Sequence, residues 1–125
     1  MYGSKMKSEE TDHLFEAILS LKDLEECYRF FDDLCTFSEI QAMTQRLQVA
    51  EMLEAGNTFS QISKEIGVSS ATITRVNKCI SYGADGYKIV LKRMKEKHAH
   101  EYVFPGRICP CRSAGAFFLF AAFTN

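Results

Sequence analysis

The sequence predicts an all-α fold of six helices, and three observations predict it. Apolar residues recur at three- and four-residue steps from about residue 8 to about residue 99, the period of an amphipathic helix. Capping signals, a hydroxyl followed three positions on by an acid or an amide, precede several of the apolar runs. Glycines at 56, 67 and 83 follow them, and the two prolines, Pro105 and Pro110, come late. A length of 125 residues suits one domain rather than two.

The first helix is expected to start near Ser8, with Leu14, Ile18 and Leu21 on one face and Phe15 and Leu19 beside it. Ser20, with Asp23 three residues later, reads as the cap of a second helix over 21–35. Its apolar set is Leu24, Cys27, Tyr28, Phe31, Leu34 and Cys35, and Phe30 lies off that stripe. Two adjacent faces are therefore apolar, more than one thin layer of packing needs. Thr36 and Glu39 form a capping pair for a third helix that runs to about Ala55, with Ile40, Met43, Leu47, Ala50 and Leu53 as its stripe. Thr58 and Gln61 open a short helix over 59–66, with Phe59, Ile62 and Ile66 turned inward. Ser69 caps the next helix, 70–81. A last helix, 85–99, carries Tyr87, Val90, Leu91 and Met94 on one side and lysines on the other.

The stretch "GVSSATITRV", residues 67–76, joins the two short helices. Gly67 permits a sharp turn, because glycine tolerates positive φ. Val68 can plug the corner. This is the layout of a helix-turn-helix, about 59–81, whose second helix enters the DNA major groove by its N-terminal end. The small residues at that end fit the task. Ser70 and Thr74 can hydrogen-bond base edges, the methyl of Ala71 can touch thymine, and all three let the backbone come close. Arg75 and Lys78 add the positive charge that phosphates attract.

A net charge of −1 hides a split. Residues 9–54 hold twelve acids and three bases, whereas residues 58–100 hold three acids and eight bases. The basic part suits a polyanion as partner. Five cysteines, Cys27, Cys35, Cys79, Cys109 and Cys111, show no disulfide framework, and no signal peptide opens the chain, so a cytoplasmic protein with reduced thiols is expected. The first three cysteines sit at apolar helical positions and read as core.

Residues 100–125 read as an irregular apolar tail. The apolar run 114–123 is ten residues, short of the about 20 that cross a bilayer, so no membrane partner is expected. His98, His100, Cys109 and Cys111 lack the usual zinc spacings, and no metal site is expected. An aberrant terminus, such as a frameshifted one, fits the tail as well. Asp32 and Asp33 point apart on a helix, and His13 reads as exposed. With no phosphate loop and no nucleophile–base set, no enzymatic activity is expected.

The stretch "ISKEIGVSSATITRV", Ile62–Val76, resembles the reading head of the Trp repressor superfamily, with "ATITR", Ala71–Arg75, as its sharpest element. "LSLKDLEECYRFFDDLCTFSEIQAMTQRLQVAEML", Leu19–Leu53, resembles the YerC/YecD branch of Trp-repressor-related proteins. The resemblance covers roughly residues 10–98, within a domain expected at 8–99. It implies an all-helical, intertwined homodimer whose N-terminal helices wrap around the partner chain, which accounts for the surplus apolar faces of residues 12–53.

By this resemblance the DNA-facing set is Ser60, Lys64, Ser69, Ser70, Ala71, Thr72, Thr74, Arg75 and Lys78. Ser70, Ala71 and Thr74 take the base-reading positions, and Lys64 and Lys78 the backbone contacts. Ser60 replaces an arginine of the tryptophan-responsive member, which argues against the same operator. The effector pocket of that member maps onto Thr36, Arg46, Arg75, Val76 and Cys79. Val76 stands where that member has glycine and Cys79 where it has serine. A branched side chain at 76 should intrude on a ligand, so an amino-acid corepressor is not favoured and no cofactor is expected. The resulting reading is a dimeric, sequence-specific transcriptional regulator, a repressor by occlusion, with double-stranded DNA as partner. The rival is a protein-interaction module that keeps the helical frame without DNA readout.

Overall fold

The computed structural model of the chain describes residues 2–98. They form six helices in the order α1 (Glu9–Leu19), α2 (Leu24–Leu34), α3 (Phe37–Glu54), α4 (Phe59–Ile66), α5 (Ser70–Tyr82) and α6 (Gly86–His98). The tail expected at 100–125, with His100, Cys109, Cys111 and the run 114–123, lies outside the described residues. No described helix is long and apolar enough to cross a membrane.

Local capping explains where the helices begin. The Ser8 hydroxyl accepts from the Thr11 N–H at 3.1 Å and starts α1. The cap of α2 is Asp23, not Ser20: its carboxylate accepts from the Glu26 N–H at 2.9 Å. The Ser20 hydroxyl instead donates to the Ala17 carbonyl at 2.6 Å and closes α1. A serine hydroxyl satisfies orphan groups at either end of a helix, so the spacing to Asp23 did not decide its role. Thr36 and Glu39 form the expected reciprocal pair. The Thr36 N–H donates to Glu39 Oε2 at 2.8 Å, and the Glu39 N–H to Thr36 Oγ1 at 3.3 Å.

The chain divides into two compact units at Met43/Thr44, within α3. The first unit holds α1, α2 and the start of α3, and none of its described residues is buried. Leu19 and Phe37 are each 83% exposed, and Leu24, Tyr28 and Leu34 are exposed as well.

The second unit has a continuous core. Val49, Ala50 and Met52 of α3, Ile62 of α4, Val68 of the turn, Ile73 and Val76 of α5 and Leu91 of α6 are buried together. Leu47, Leu53, Ile66, Ile80, Tyr87 and Met94 pack around them. Lys95 of α6 pairs with Glu54 of α3 at 2.9 Å. Four inward expectations need correction. Met43 and Val90 are exposed, Phe59 is exposed at the first position of α4, and Cys79 is exposed on α5. The buried side of α3 is carried by Val49 and Met52 together with Ala50. That helix is apolar on more than one side, so its period fits several stripes.

Candidate nucleic-acid interface

The interface is built on α4, the turn and α5. Thr58 starts α4 with a capping box: its N–H donates to Gln61 Oε1 at 2.9 Å, and the Gln61 N–H donates to its hydroxyl at 3.3 Å. Gly67 ends the helix at φ 77°, a left-handed conformation that L side chains adopt at a cost. Its N–H donates to the Ser63 carbonyl at 2.9 Å. The Ser63 hydroxyl donates across the turn to the Val68 carbonyl at 2.9 Å. Val68 is buried between the helices, as the corner requires. These contacts fix the direction in which α5 leaves the turn.

Ser69 caps α5, accepting from the Thr72 N–H at 3.3 Å, and the Ser69 and Thr72 hydroxyls lie 3.2 Å apart. Ile73 and Val76 anchor the helix in the core. With about 100° between successive residues, the opposite side faces outward. Ser70, Ala71, Thr74, Arg75 and Lys78 are all exposed there. Neither Ser70 nor Thr74 has a side-chain hydrogen-bond partner among the described residues. Ser60 and Lys64 are exposed on α4. Of the nine expected interface residues, only Thr72 is half-buried. Ser69 and Thr72 share a cap, which leaves them fewer free hydroxyl positions than Ser70 and Thr74 have. Across α4 and α5 three cations, Lys64, Arg75 and Lys78, stand against one acid, Glu65. The surface can therefore offer small hydrogen-bonding groups flanked by positive charge.

The residues matched to an effector pocket are not alike. Thr36 lies in the first unit, exposed, with its hydroxyl 3.0 Å from Glu39 Oε2. The other four lie in the second. Arg46 is half-buried, Arg75 and Cys79 are exposed, and Val76 is 1% exposed within the core. Val76 thus spends its side chain on packing. Among the described residues no three His, Cys, Asp or Glu side chains are placed to hold a metal ion. Asn77 and Tyr82 are also exposed on α5 and were absent from the expected set. The 100° spacing alone puts Tyr82 in line with Arg75 and Lys78.

Comparison with known proteins decides the family, because residues 9–95 match the Trp repressor protein family. The chain belongs to the Trp repressor family. Among its relatives is YerC of Bacillus subtilis (strain 168), 60% identical over 96 residues, which cover 77% of this chain and 92% of YerC. A candidate Trp repressor from Staphylococcus aureus is 51% identical with a TM-score of 0.69, over 72% of this chain and 90% of that one. A TrpR-like protein from Eubacterium eligens ATCC 27750 is 49% identical with a TM-score of 0.70, over 72% of this chain and 93% of that one. The match to YerC agrees with the branch expected from Leu19–Leu53. These likenesses establish an all-α Trp-repressor-like fold, and membership of the family points to a DNA-binding regulator.

Proposed function

We propose that this chain is a cytoplasmic, sequence-specific DNA-binding regulator, a repressor by occlusion, that acts as a homodimer. One observation carries the reading. The first two turns of α5 present Ser70, Ala71 and Thr74 to solvent on a helix whose other side is locked into a core. A rigid helix start bearing small polar groups suits a major groove about 12 Å wide. Lys64, Arg75 and Lys78 supply phosphate attraction around it.

The dimer rests on the first unit. Its helices are capped and regular, yet none of its described residues is buried. A second copy of the same helices would cover those apolar faces, and a two-fold pair of heads would read half-sites about 34–36 Å apart. On this reading the head acts without a small ligand, which the burial of Val76 in the core supports.

The test starts from a duplex selected out of random DNA by the full-length protein. Thr74→Ala should weaken binding to that duplex about fivefold, near 1 kcal/mol, and leave binding to a scrambled duplex unchanged. Lys78→Ala should weaken both and reduce the salt slope by about 1. An equal loss on both duplexes for Thr74→Ala would remove its base-reading role.

A further inference from the structure

Helix α5 shows its outermost ridge at four positions. Ala71, Arg75, Lys78 and Tyr82 follow one another at steps of four, three and four residues. At 100° per residue they lie within one narrow strip, diametrically opposite Ile73, Val76 and Ile80. Asn77, by contrast, stands four residues after Ile73 and three before Ile80, on the flank of the buried side.

Tyr82 is 87% exposed, and its hydroxyl has no partner among the described residues. A single exposed aromatic is common and says little by itself. Its place says more. It is the last residue of α5, and the chain directly behind it is held firmly. The Gly83 N–H donates to the Cys79 carbonyl at 2.9 Å, and a Cβ at Gly83 would overlap that same oxygen. The ring is thus presented from a fixed helix end, on the same ridge as two cations.

Distance supplies the partner. Ala71 and Tyr82 are about 16 Å apart along the axis, at about 1.5 Å per residue. The major groove is only about 8.5 Å deep. A helix that enters by its N-terminal end with Ala71 near the bases leaves Tyr82 outside the groove floor, level with a sugar–phosphate wall. There a phenol can lay its ring along a sugar and donate its O–H to a phosphate oxygen.

We propose that Tyr82 is a backbone anchor of this head: its hydroxyl donates to a DNA phosphate at the groove rim and fixes how deeply α5 is seated. The inference rests on the DNA-reading function above and adds a positioning contact to it. Such a contact carries no sequence information and, being uncharged, releases no counterion.

The experiment uses Tyr82→Phe in the full-length protein, which removes one oxygen and keeps the ring. Affinity is measured against the selected and the scrambled duplex over a salt series, beside wild type, Thr74→Ala and Lys78→Ala. Tyr82→Phe should lose about five- to tenfold on both duplexes, with the salt slope of wild type. That pattern differs from both comparison variants, because Thr74→Ala discriminates between duplexes and Lys78→Ala flattens the slope. Unchanged affinity for Tyr82→Phe, or a loss confined to the selected duplex, overturns the anchor while the two comparison variants leave the DNA reading standing. A changed sedimentation coefficient for Tyr82→Phe overturns it too, since it would place the hydroxyl between chains. If wild type itself binds neither duplex, the DNA reading falls and the anchor falls with it.

Discussion

The two units of this chain are built from the same kind of helix and differ in what covers them. Ser8, Asp23 and Thr36 cap helices in the first unit with the same geometry that Thr58 and Ser69 use in the second. Local structure is therefore equally well specified in both. Yet the described residues of the second unit include eight buried apolar side chains, whereas those of the first include none. Hydrogen-bonded caps direct where a helix starts, but most helix stability in proteins comes from a buried face. The second unit satisfies that requirement within itself. The described residues of the first do not, and a second copy of the chain is the surface proposed for it.

The contrast can be broken from the interior outward. Ile73→Ala removes a fully buried side chain from the head. It should destabilise by about 2–5 kcal/mol, read by thermal or denaturant unfolding. A loss below about 1 kcal/mol would mean that the head is less tightly packed than its burial indicates. The paired substitution of Leu19→Glu and Phe37→Glu addresses the first unit, where both side chains are 83% exposed in the single chain. If these positions face solvent in solution, the change is neutral. If a second copy covers them, burial worth about 1.5–3 kcal/mol each is lost, and the dimer dissociation constant rises about a hundredfold or more. Sedimentation over a dilution series distinguishes the two.

The smallest effect concerns the α3 cap. The Glu39 carboxyl is held below the usual carboxylate range, first by the Thr36 backbone N–H and then by its hydroxyl. A carboxylate with a lowered folded pKa stabilises above its unfolded pKa, and that contribution is lost as pH falls through the folded value. The difference in Tm between wild type and Glu39→Gln should therefore be largest near neutral pH and narrow in acid. A difference that does not change with pH would separate Glu39 from the cap's pH dependence.

Much of this was legible in the sequence because caps and turns are local. The Thr36–Glu39 and Thr58–Gln61 pairs and the Gly67–Val68 corner depend on neighbours a few residues away. Errors arose where a side chain had two local options or a helix had two apolar sides. Ser20 could cap the helix ahead of it or close the one behind, and its hydroxyl took the second option. In α3 the stripe of Leu47, Ala50 and Leu53 does lie in or against the core, but its period also took in Met43, which is exposed, and passed over Val49 and Met52, which are buried. Cys79, read as core, stands about 60° from Val76 and about 100° from Ile80, at the edge of the buried side, and is exposed. The exposed start of α5 followed from pattern. Tyr82 was passed over: its spacing puts it in line with Arg75 and Lys78, but a lone tyrosine stands out only once the buried side of the helix is known.

One footprint tests the two-headed DNA reader most directly. The selected duplex is probed with dimethyl sulfate, with and without saturating protein. Two clusters of protected guanine N7 positions, about 34–36 Å apart on one face of the duplex, are predicted. A single cluster, or protection confined to the minor groove, would contradict it.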